Sequence, residues 1–260
     1  MAAVRSMGTM RTVKLTVAYD GTRYAGWQRQ RGRPSIQEEL ERAVARITGE
    51  VVRVVGAGRT DAGVHALGQV AHFHTASGLE AERFWGALNH YLPPDIAIRC
   101  AEEAPQGFHA RRDARWRAYR YLIWNRPGRN PFLLNRALPW AQPLDVEAMK
   151  AAAASLVGRH DFAGFCATGS NPRTTICTLY RLDVRRIDSL VVIEAVADRF
   201  LRHMVRMIVG TLLEVGGGRR PPEEVRAVLE SRESSGAGPV VAPWGLYLVR
   251  VGYTEFGRGP

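Results

Sequence analysis

The chain has 260 residues, of which 46% are hydrophobic and 23% charged, and its formal net charge at pH 7 is +11. This length allows one large or two ordinary domains, and the hydrophobic content excludes a chain that is disordered throughout. The surplus of positive charge indicates a polyanionic partner, because contacts with phosphates release counterions and favour binding.

The cysteine spacing and the first residues of the sequence indicate which compartment and which kinds of metal or disulfide site to expect. Cys100, Cys166 and Cys177 form no C-x-x-C pair, which argues against a disulfide framework and a cysteine zinc site. Residues 1–12 lack the apolar core of a signal peptide, and no apolar run approaches membrane-spanning length. We therefore expect a soluble cytoplasmic protein that does not enter a membrane, with Met1, Met7 or Met10 as its start.

Strands and helices alternate in the first part of the chain. Ser35 and Glu38 form a capping box that opens a helix, and Gly49 ends it. Periodicity predicts strands at 13–19, 51–55, 69–73 and 96–100, the capped helix at 35–49, and a second helix at 81–91.

A similar order of elements follows in the second part. The pattern predicts strands at 116–124, 179–184, 190–196 and 246–251, a loop at 125–131, and helices at 145–157, 202–215 and 222–232. This order predicts an α+β protein of two similar halves, each with a mixed or antiparallel sheet and helices on one face. We place the domains at 1–112 and 113–260, with a basic cleft between them.

One carboxylate stands on a glycine-framed connection between two predicted strands. The stretch Gly-Arg-Thr-Asp-Ala-Gly-Val-His at 58–65, called the Asp61 loop below, carries Asp61 two positions after Arg59. Its glycines allow tight backbone turns, and Arg59 is close enough in sequence to pair with Asp61. An aspartate that merely caps its own turn is the alternative interpretation.

The Asp61 loop resembles the catalytic signature of the tRNA pseudouridine synthase A family. Further similar segments are Gly-Gln-Val at 68–70, His-Phe at 72–73, Tyr-Asp-Gly at 19–21, Tyr-Ala-Gly-Trp-Gln at 24–28, Phe-His-Ala-Arg at 108–111, Tyr-Arg-Tyr at 119–121, His-Asp-Phe at 160–162, Phe165 and His-Met-Val-Arg at 203–206. They cover nearly the whole chain in the family's order. Ala118 departs from the pattern, in which a basic residue precedes the tyrosine.

The resemblance implies a pseudouridine synthase fold and an isomerase that converts uridine to pseudouridine at tRNA positions 38 to 40. It implies a homodimer acting on the anticodon arm, and a reaction that needs no cofactor or metal. The implied catalytic residues are Asp61, Tyr119, Arg206 and Arg59. The implied substrate-binding residues are Arg59, Tyr119, Arg111, Arg202 and Arg206.

The spacing around residue 206 adds an independent argument. Met204, Ile208 and Leu212 recur at helical intervals and form a core stripe, with Arg202 and Arg206 at its edge. An arginine at such an edge can bury its stem and place its guanidinium in a neighbouring cleft. A solvated surface arginine is the alternative.

Two other functions fit parts of the sequence. A noncatalytic RNA-binding or tRNA-folding protein would have the same charge and fold. His72 and His74 lie on one side of a predicted strand, so with Asp61 or His65 they suggest a metal-dependent phosphodiesterase.

Overall fold

The computed structural model describes residues 10–257, so Met1 and Met7 lie outside the described residues. The chain divides into two compact units, the first ending at Ala114 and the second beginning at Arg115. Among the described residues, no helix combines the length and the apolar character needed to cross a membrane.

In its described residues, the first unit is a small antiparallel sheet with two α-helices. Its elements are β1 (Arg11–Tyr19), α1 (Ile36–Thr48), β2 (Val55–Gly56), β3 (His65–Thr75), α2 (Arg83–Tyr91) and β4 (Ile96–Glu103). The strand order is β4, β1, β3, and the short β2 pairs with β3. The Asp61 loop therefore connects two directly paired strands.

Alternating residues of the central strand form the core of this unit. Val13, Leu15 and Val17 are fully buried on one face of β1, as strand geometry requires. On the same side Phe73 of β3 meets Phe84 of α2 edge to face, with ring centroids 5.4 Å apart. These contacts hold the helices against one face of the sheet.

The capping signals of α1 are confirmed. The Ser35 side chain accepts a hydrogen bond from the Glu38 amide, and Gly49 ends the helix with a φ of 72°. A glycine adopts that left-handed conformation without steric cost.

The predicted strand at 51–55 is wrong for most of its length, because only Val55 belongs to β2. Side chains of α1 occupy the backbone groups that a strand would use. Gln37 donates to the Val54 carbonyl, and Glu41 accepts from the Val54 amide. The segment is therefore tied to a helix instead of a neighbouring strand.

The second unit is a larger mixed sheet with three helices among its described residues. Its elements are β5 (Trp116–Trp124), β6 (Leu138–Pro139), α3 (Val146–Ala154), β7 (Gly158–Asp161), β8 (Ile176–Ile187), β9 (Leu190–Ala197), α4 (Met204–Gly216), α5 (Glu224–Ser231) and β10 (Leu246–Gly252). The order β10, β5, β9, β8, β7 is antiparallel, and β6 runs parallel to β5. The α+β class predicted from the sequence is confirmed.

Helix α4 begins at Met204, two residues later than predicted. His203 precedes it in a left-handed conformation with a φ of 63°, which a helix cannot include. Arg202 therefore lies in a turn, outside the helix to which its spacing assigned it.

Two helical glycines provide a matched test of this packing. A Cβ on Gly210 of α4 would lie 1.9 Å from the Pro239 carbonyl oxygen, whereas a Cβ on Gly86 of α2 would meet nothing within 4 Å. We expect Gly210→Ala to lower the free energy of unfolding by about 1–3 kcal/mol through overpacking. Gly86→Ala should raise it by about 0.5–1 kcal/mol, because alanine favours helices. Scanning calorimetry measures both, and equal effects would contradict the close approach at Gly210.

Candidate active site

The Asp61 loop is bound on one side by the segment 24–27. The Trp27 amide donates to the Thr60 carbonyl at 3.1 Å, and the Gly63 amide donates to the Tyr24 carbonyl at 3.4 Å. Gly26 has a φ of +102°, and a Cβ there would lie 2.5 Å from the Thr60 carbonyl oxygen. Only glycine permits this close approach of two backbones.

Buried side chains of β1 and β3 hold the loop on its other side. The hydroxyls of Tyr19 and Thr60 are 2.8 Å apart, and the Gln69 amide group donates to the Gly58 carbonyl at 2.8 Å. Gln69 is fully buried. Since a buried polar group is costly unless it is hydrogen-bonded, these contacts define where the loop runs.

The turn that carries Asp61 is closed by its own backbone. The Val64 amide donates to the Asp61 carbonyl at 3.2 Å, and Gly63 supplies the left-handed residue with a φ of +77°. At the end of the turn, the Gly21 amide donates to His65 Nδ1 at 3.1 Å. The half-buried Asp61 side chain thus stands on a backbone with few alternative conformations.

Three arginines surround a small pocket beside this loop, called the Arg59 pocket below. Its volume is about 80 Å³. It is lined by Trp27, Gln28, Gln37, Arg53, Val54, Val55, Gly56, Arg59 and Arg111. Guanidinium groups converging on a space of this size suit an anionic group such as a phosphate.

Arg59 lines the Arg59 pocket, whereas Asp61 is not among the residues that line it. Arg59 follows the Gly58 carbonyl that Gln69 anchors, and its side chain turns to the pocket with Arg53 and Arg111. The loop therefore presents its carboxylate and its guanidinium to different surroundings.

Two histidines fix the backbone that bears Arg111. The Ala110 amide donates to His72 Nδ1 at 3.2 Å, and the amides of Arg111 and Arg112 both donate to His109 Nδ1 at 3.2 Å. Burial, with smaller contributions from positive charge on His109 and His74, lowers the pKa of His72 to about 4. His72 is thus a neutral acceptor at physiological pH.

The two strand histidines lie on one side of β3, as predicted, with ring centroids 5.4 Å apart. His72 Nδ1 is bonded to Ala110, and His74 Nδ1 lies 2.9 Å from the Thr12 hydroxyl. Among the described residues, no three His, Cys, Asp or Glu side chains are grouped so that they could hold a metal ion. The pair anchors neighbouring backbone and side chains.

The remaining predicted site residues belong to the second unit. Tyr119 is a buried residue of β5, and its ring meets that of Phe200 edge to face at 5.0 Å. Arg206 of α4 is half-buried and donates through Nε to the Val241 carbonyl at 2.7 Å, which orients its guanidinium. Arg202 is exposed in the turn before α4.

The structure thus brings Arg59 and Arg111 to one pocket and adds a third arginine that the sequence did not single out. Arg53 belonged to a predicted strand with no pattern that marked it as functional. Gln69 was part of the recognised motif, and a glutamine within an apolar strand is a signal for a buried hydrogen bond.

The sequence comparisons define the class of protein to which this fold and loop belong. The profile of the tRNA pseudouridine synthase family matches residues 15–113 and 152–254. The protein named tRNA pseudouridine synthase A of Acetivibrio thermocellus is 46% identical over 244 residues, which span 94% of this chain and 100% of the relative. The proteins of the same name from Pelobacter propionicus and Caldicellulosiruptor bescii are 45% and 43% identical, again over 94% of this chain and 100% of each relative.

The chain belongs to the tRNA pseudouridine synthase family. The first matched segment includes the Asp61 loop and Arg111, and the second includes Arg202 and Arg206. Tyr119 lies between the two matched segments, but within the span shared with the relatives.

The depressed pKa of His72 predicts an acid-sensitive first unit. His72 has a pKa of about 4 when folded and about 6.5 when unfolded, so the unfolded chain binds the additional proton between these values. The free energy of unfolding therefore loses nothing to this titration above pH 6.5, and it falls as the pH is lowered towards 4. His72→Asn removes this titration, and its amide oxygen replaces the acceptor for Ala110.

We expect the wild type to lose on the order of 3 kcal/mol more than His72→Asn between pH 6.5 and 4, at 1.36 kcal/mol per pKa unit. Urea unfolding at several pH values gives the difference. Parallel pH profiles for the two proteins would contradict the neutral buried state of His72.

Proposed function

We propose that this protein converts uridine to pseudouridine at positions 38 to 40 of the tRNA anticodon stem-loop, with Asp61 as its catalytic carboxylate. The observation that carries the proposal is the Asp61 loop, braced by segment 24–27 on one side and by Tyr19 and Gln69 on the other. The reaction requires a carboxylate held in one place, because misplacement by about 1 Å can cost about 10²-fold in rate. The names of the relatives support the substrate class.

The reaction conserves every atom of the nucleoside. The bond from N1 of uracil to C1′ of ribose breaks, the ring turns, and C5 bonds to C1′. The C5 proton is then removed and N1 gains a proton, so no electron acceptor is required. Asp61 acts first, either by addition to the uracil ring or at the ribose, and both routes need its ionised form.

The arginines have two kinds of role in this proposal. The Arg59 pocket places Arg59, Arg53 and Arg111 around a space of about 80 Å³, which suits a backbone phosphate of the RNA. The alternative role for Arg59 is to occupy the space that the target nucleotide vacates when it leaves the helical stack. Arg206 accompanies the catalytic carboxylate and Arg202 contacts substrate, as the family resemblance implies.

Tyr119 stacks on the target base in this proposal, and its hydroxyl accepts the C5 proton through its ionised form or a bound water. The ring is fixed against Phe200, which suits a stacking surface that must keep its orientation. We further propose a cytoplasmic homodimer with domains at 1–112 and 113–260.

Nucleoside analysis separates the proposal from its alternatives. An unmodified tRNA transcript is incubated with purified protein, without added metal or cofactor, and digested to nucleosides. Pseudouridine at positions 38 to 40 is the expected product. A noncatalytic binder would leave every uridine unchanged, whereas a phosphodiesterase would shorten the RNA and stop in chelator.

Replacement of the proposed catalytic carboxylate tests its role. Asp61→Asn keeps the size of the side chain but cannot ionise, so pseudouridine formation should fall at least ~10³-fold. We expect tRNA affinity to stay within about threefold of wild type, since many arginines share the electrostatic contribution. Single-turnover assays and filter binding measure the two quantities.

Asp183→Asn is the matched control, because Asp183 is an exposed aspartate of β8 whose carboxylate pairs with Arg181 and takes no part in the proposed site. It should leave both quantities unchanged. Substantial turnover by folded Asp61→Asn would exclude Asp61 as the catalytic carboxylate.

A conservative change at Tyr119 separates stacking from proton transfer. Tyr119→Phe keeps the ring against Phe200 and removes the hydroxyl, so tRNA should bind normally while product formation falls about 10²-fold or more. An intermediate that still carries the C5 proton should accumulate. Rapid-quench analysis with C5-tritiated uridine detects it, and Tyr180→Phe serves as a control on an exposed strand tyrosine.

Equal proton release by Tyr119→Phe and wild type would assign Tyr119 to stacking alone. In that case Tyr119→Ala should still lose activity, because it removes the ring as well.

A further inference from the structure

The second unit displays two large apolar side chains on a loop that the proposed chemistry does not use. In the loop at 125–136, called the Phe132 loop below, Phe132 is 86% exposed and Leu134 is 69% exposed. Exposed apolar side chains that lie close together mark interaction sites more often than single ones do.

The base of the Phe132 loop is anchored to the sheet. The Asn125 amide donates to the Ser189 carbonyl at 2.8 Å, and the Asn125 side chain donates to the carbonyls of Trp140 and Gln142. The Trp140 amide in turn donates to the Trp124 carbonyl at 2.8 Å. Both ends of the loop are therefore fixed.

The tip of the loop has an ordered turn that raises Phe132 towards solvent. Asn130 caps this turn, with its side-chain oxygen accepting from the Phe132 amide at 3.1 Å and its carbonyl accepting from the Leu133 amide. The Arg136 amide then donates to the Leu133 carbonyl at 2.9 Å. Binding through Phe132 would thus cost little backbone entropy, since the backbone is already ordered.

The charge around these apolar residues identifies the kind of partner. Arg126, Arg129 and Arg136 are all exposed, and no Asp or Glu occurs from residue 125 to residue 144. Arg186 joins them at the base, where it donates to the Asn125 side chain at 3.0 Å. Asp188 is the one carboxylate among the described residues of the hairpin turn that the loop contacts at Ser189.

We propose that the Phe132 loop is an RNA-binding surface, on which Phe132 stacks against an unpaired base and the loop arginines contact the flanking phosphates. An aromatic ring among arginines is the combination with which proteins bind single-stranded nucleotides. The RNA is the tRNA substrate, so this inference rests on the proposed function. A second copy of the chain fits less well, because a twofold interface would bring the same arginines face to face.

The test is tRNA affinity, measured by filter binding to an unmodified transcript. Phe132→Ala should raise Kd about 5- to 150-fold, the loss expected for one base stack. Phe132→Trp keeps an aromatic face and should bind within about twofold of wild type. Trp85→Ala, at a 54% exposed tryptophan of α2, is the matched control and should leave Kd unchanged. Because Phe132 makes little packing contact, the unfolding temperature of Phe132→Ala should equal that of wild type.

Wild-type affinity in folded Phe132→Ala overturns this proposal. If that variant also sediments at half the mass of wild type, the surface belongs to a second copy. Loss of affinity in Phe132→Ala while wild type forms no pseudouridine would leave the RNA surface standing and remove the proposed function. Equal tRNA affinity of Phe132→Ala and wild type, together with normal pseudouridine formation, would remove the RNA surface and leave the proposed function standing.

Discussion

The close approach of Gly26 to the Thr60 carbonyl determines where the Asp61 loop can lie. A Cβ at residue 26 would come within 2.5 Å of that oxygen, so the two backbones meet without a side chain between them. Segment 24–27 is also bonded to the start of α1, because the amides of Ile36 and Gln37 donate to the carbonyls of Gly26 and Trp27. The first turn of a helix is thereby bonded to the strip of backbone that supports the carboxylate. A shift of α1 or of segment 24–27 would therefore break the hydrogen bonds that join them.

Strand β3 extends this arrangement, because three of its buried polar residues each hold a different segment. His65 accepts from Gly21, Gln69 donates to Gly58, and His72 accepts from Ala110. Buried groups of this kind destabilise the fold unless they are satisfied, so each is a constraint on the segment that it bonds. A strand that could have been wholly apolar instead positions the Asp61 loop and the backbone before Arg111. We infer that the sequence of β3 serves the site as much as the core.

The sequence predicted those elements whose signals are local. Helix α1 was recognised because Ser35 and Gly49 mark its two ends, and β5 because aromatic residues, which favour strands, recur through it. The error at 51–55 arose from long-range bonds, since Gln37 and Glu41 take the backbone groups of Val54. The start of α4 was misplaced because nothing in the pattern shows that His203 is left-handed. The Arg59 pocket likewise depends on the fold, which brings Arg53 and Arg111 together from positions 58 residues apart in the chain.

Arginines of the same charge therefore differ in what they can do for the reaction. Arg206 donates through Nε to the Val241 carbonyl, so its guanidinium has a fixed direction, and in the proposed function it would lose little entropy on contact with substrate. Arg126 and Arg129 are exposed, and on the proposed RNA-binding surface they would attract phosphates without reading the sequence. The net charge counts oriented and exposed arginines alike, so it does not distinguish one kind from the other. Selection of one uridine requires contacts whose position is fixed by the fold. Attraction to a polyanion depends only on the number of positive charges.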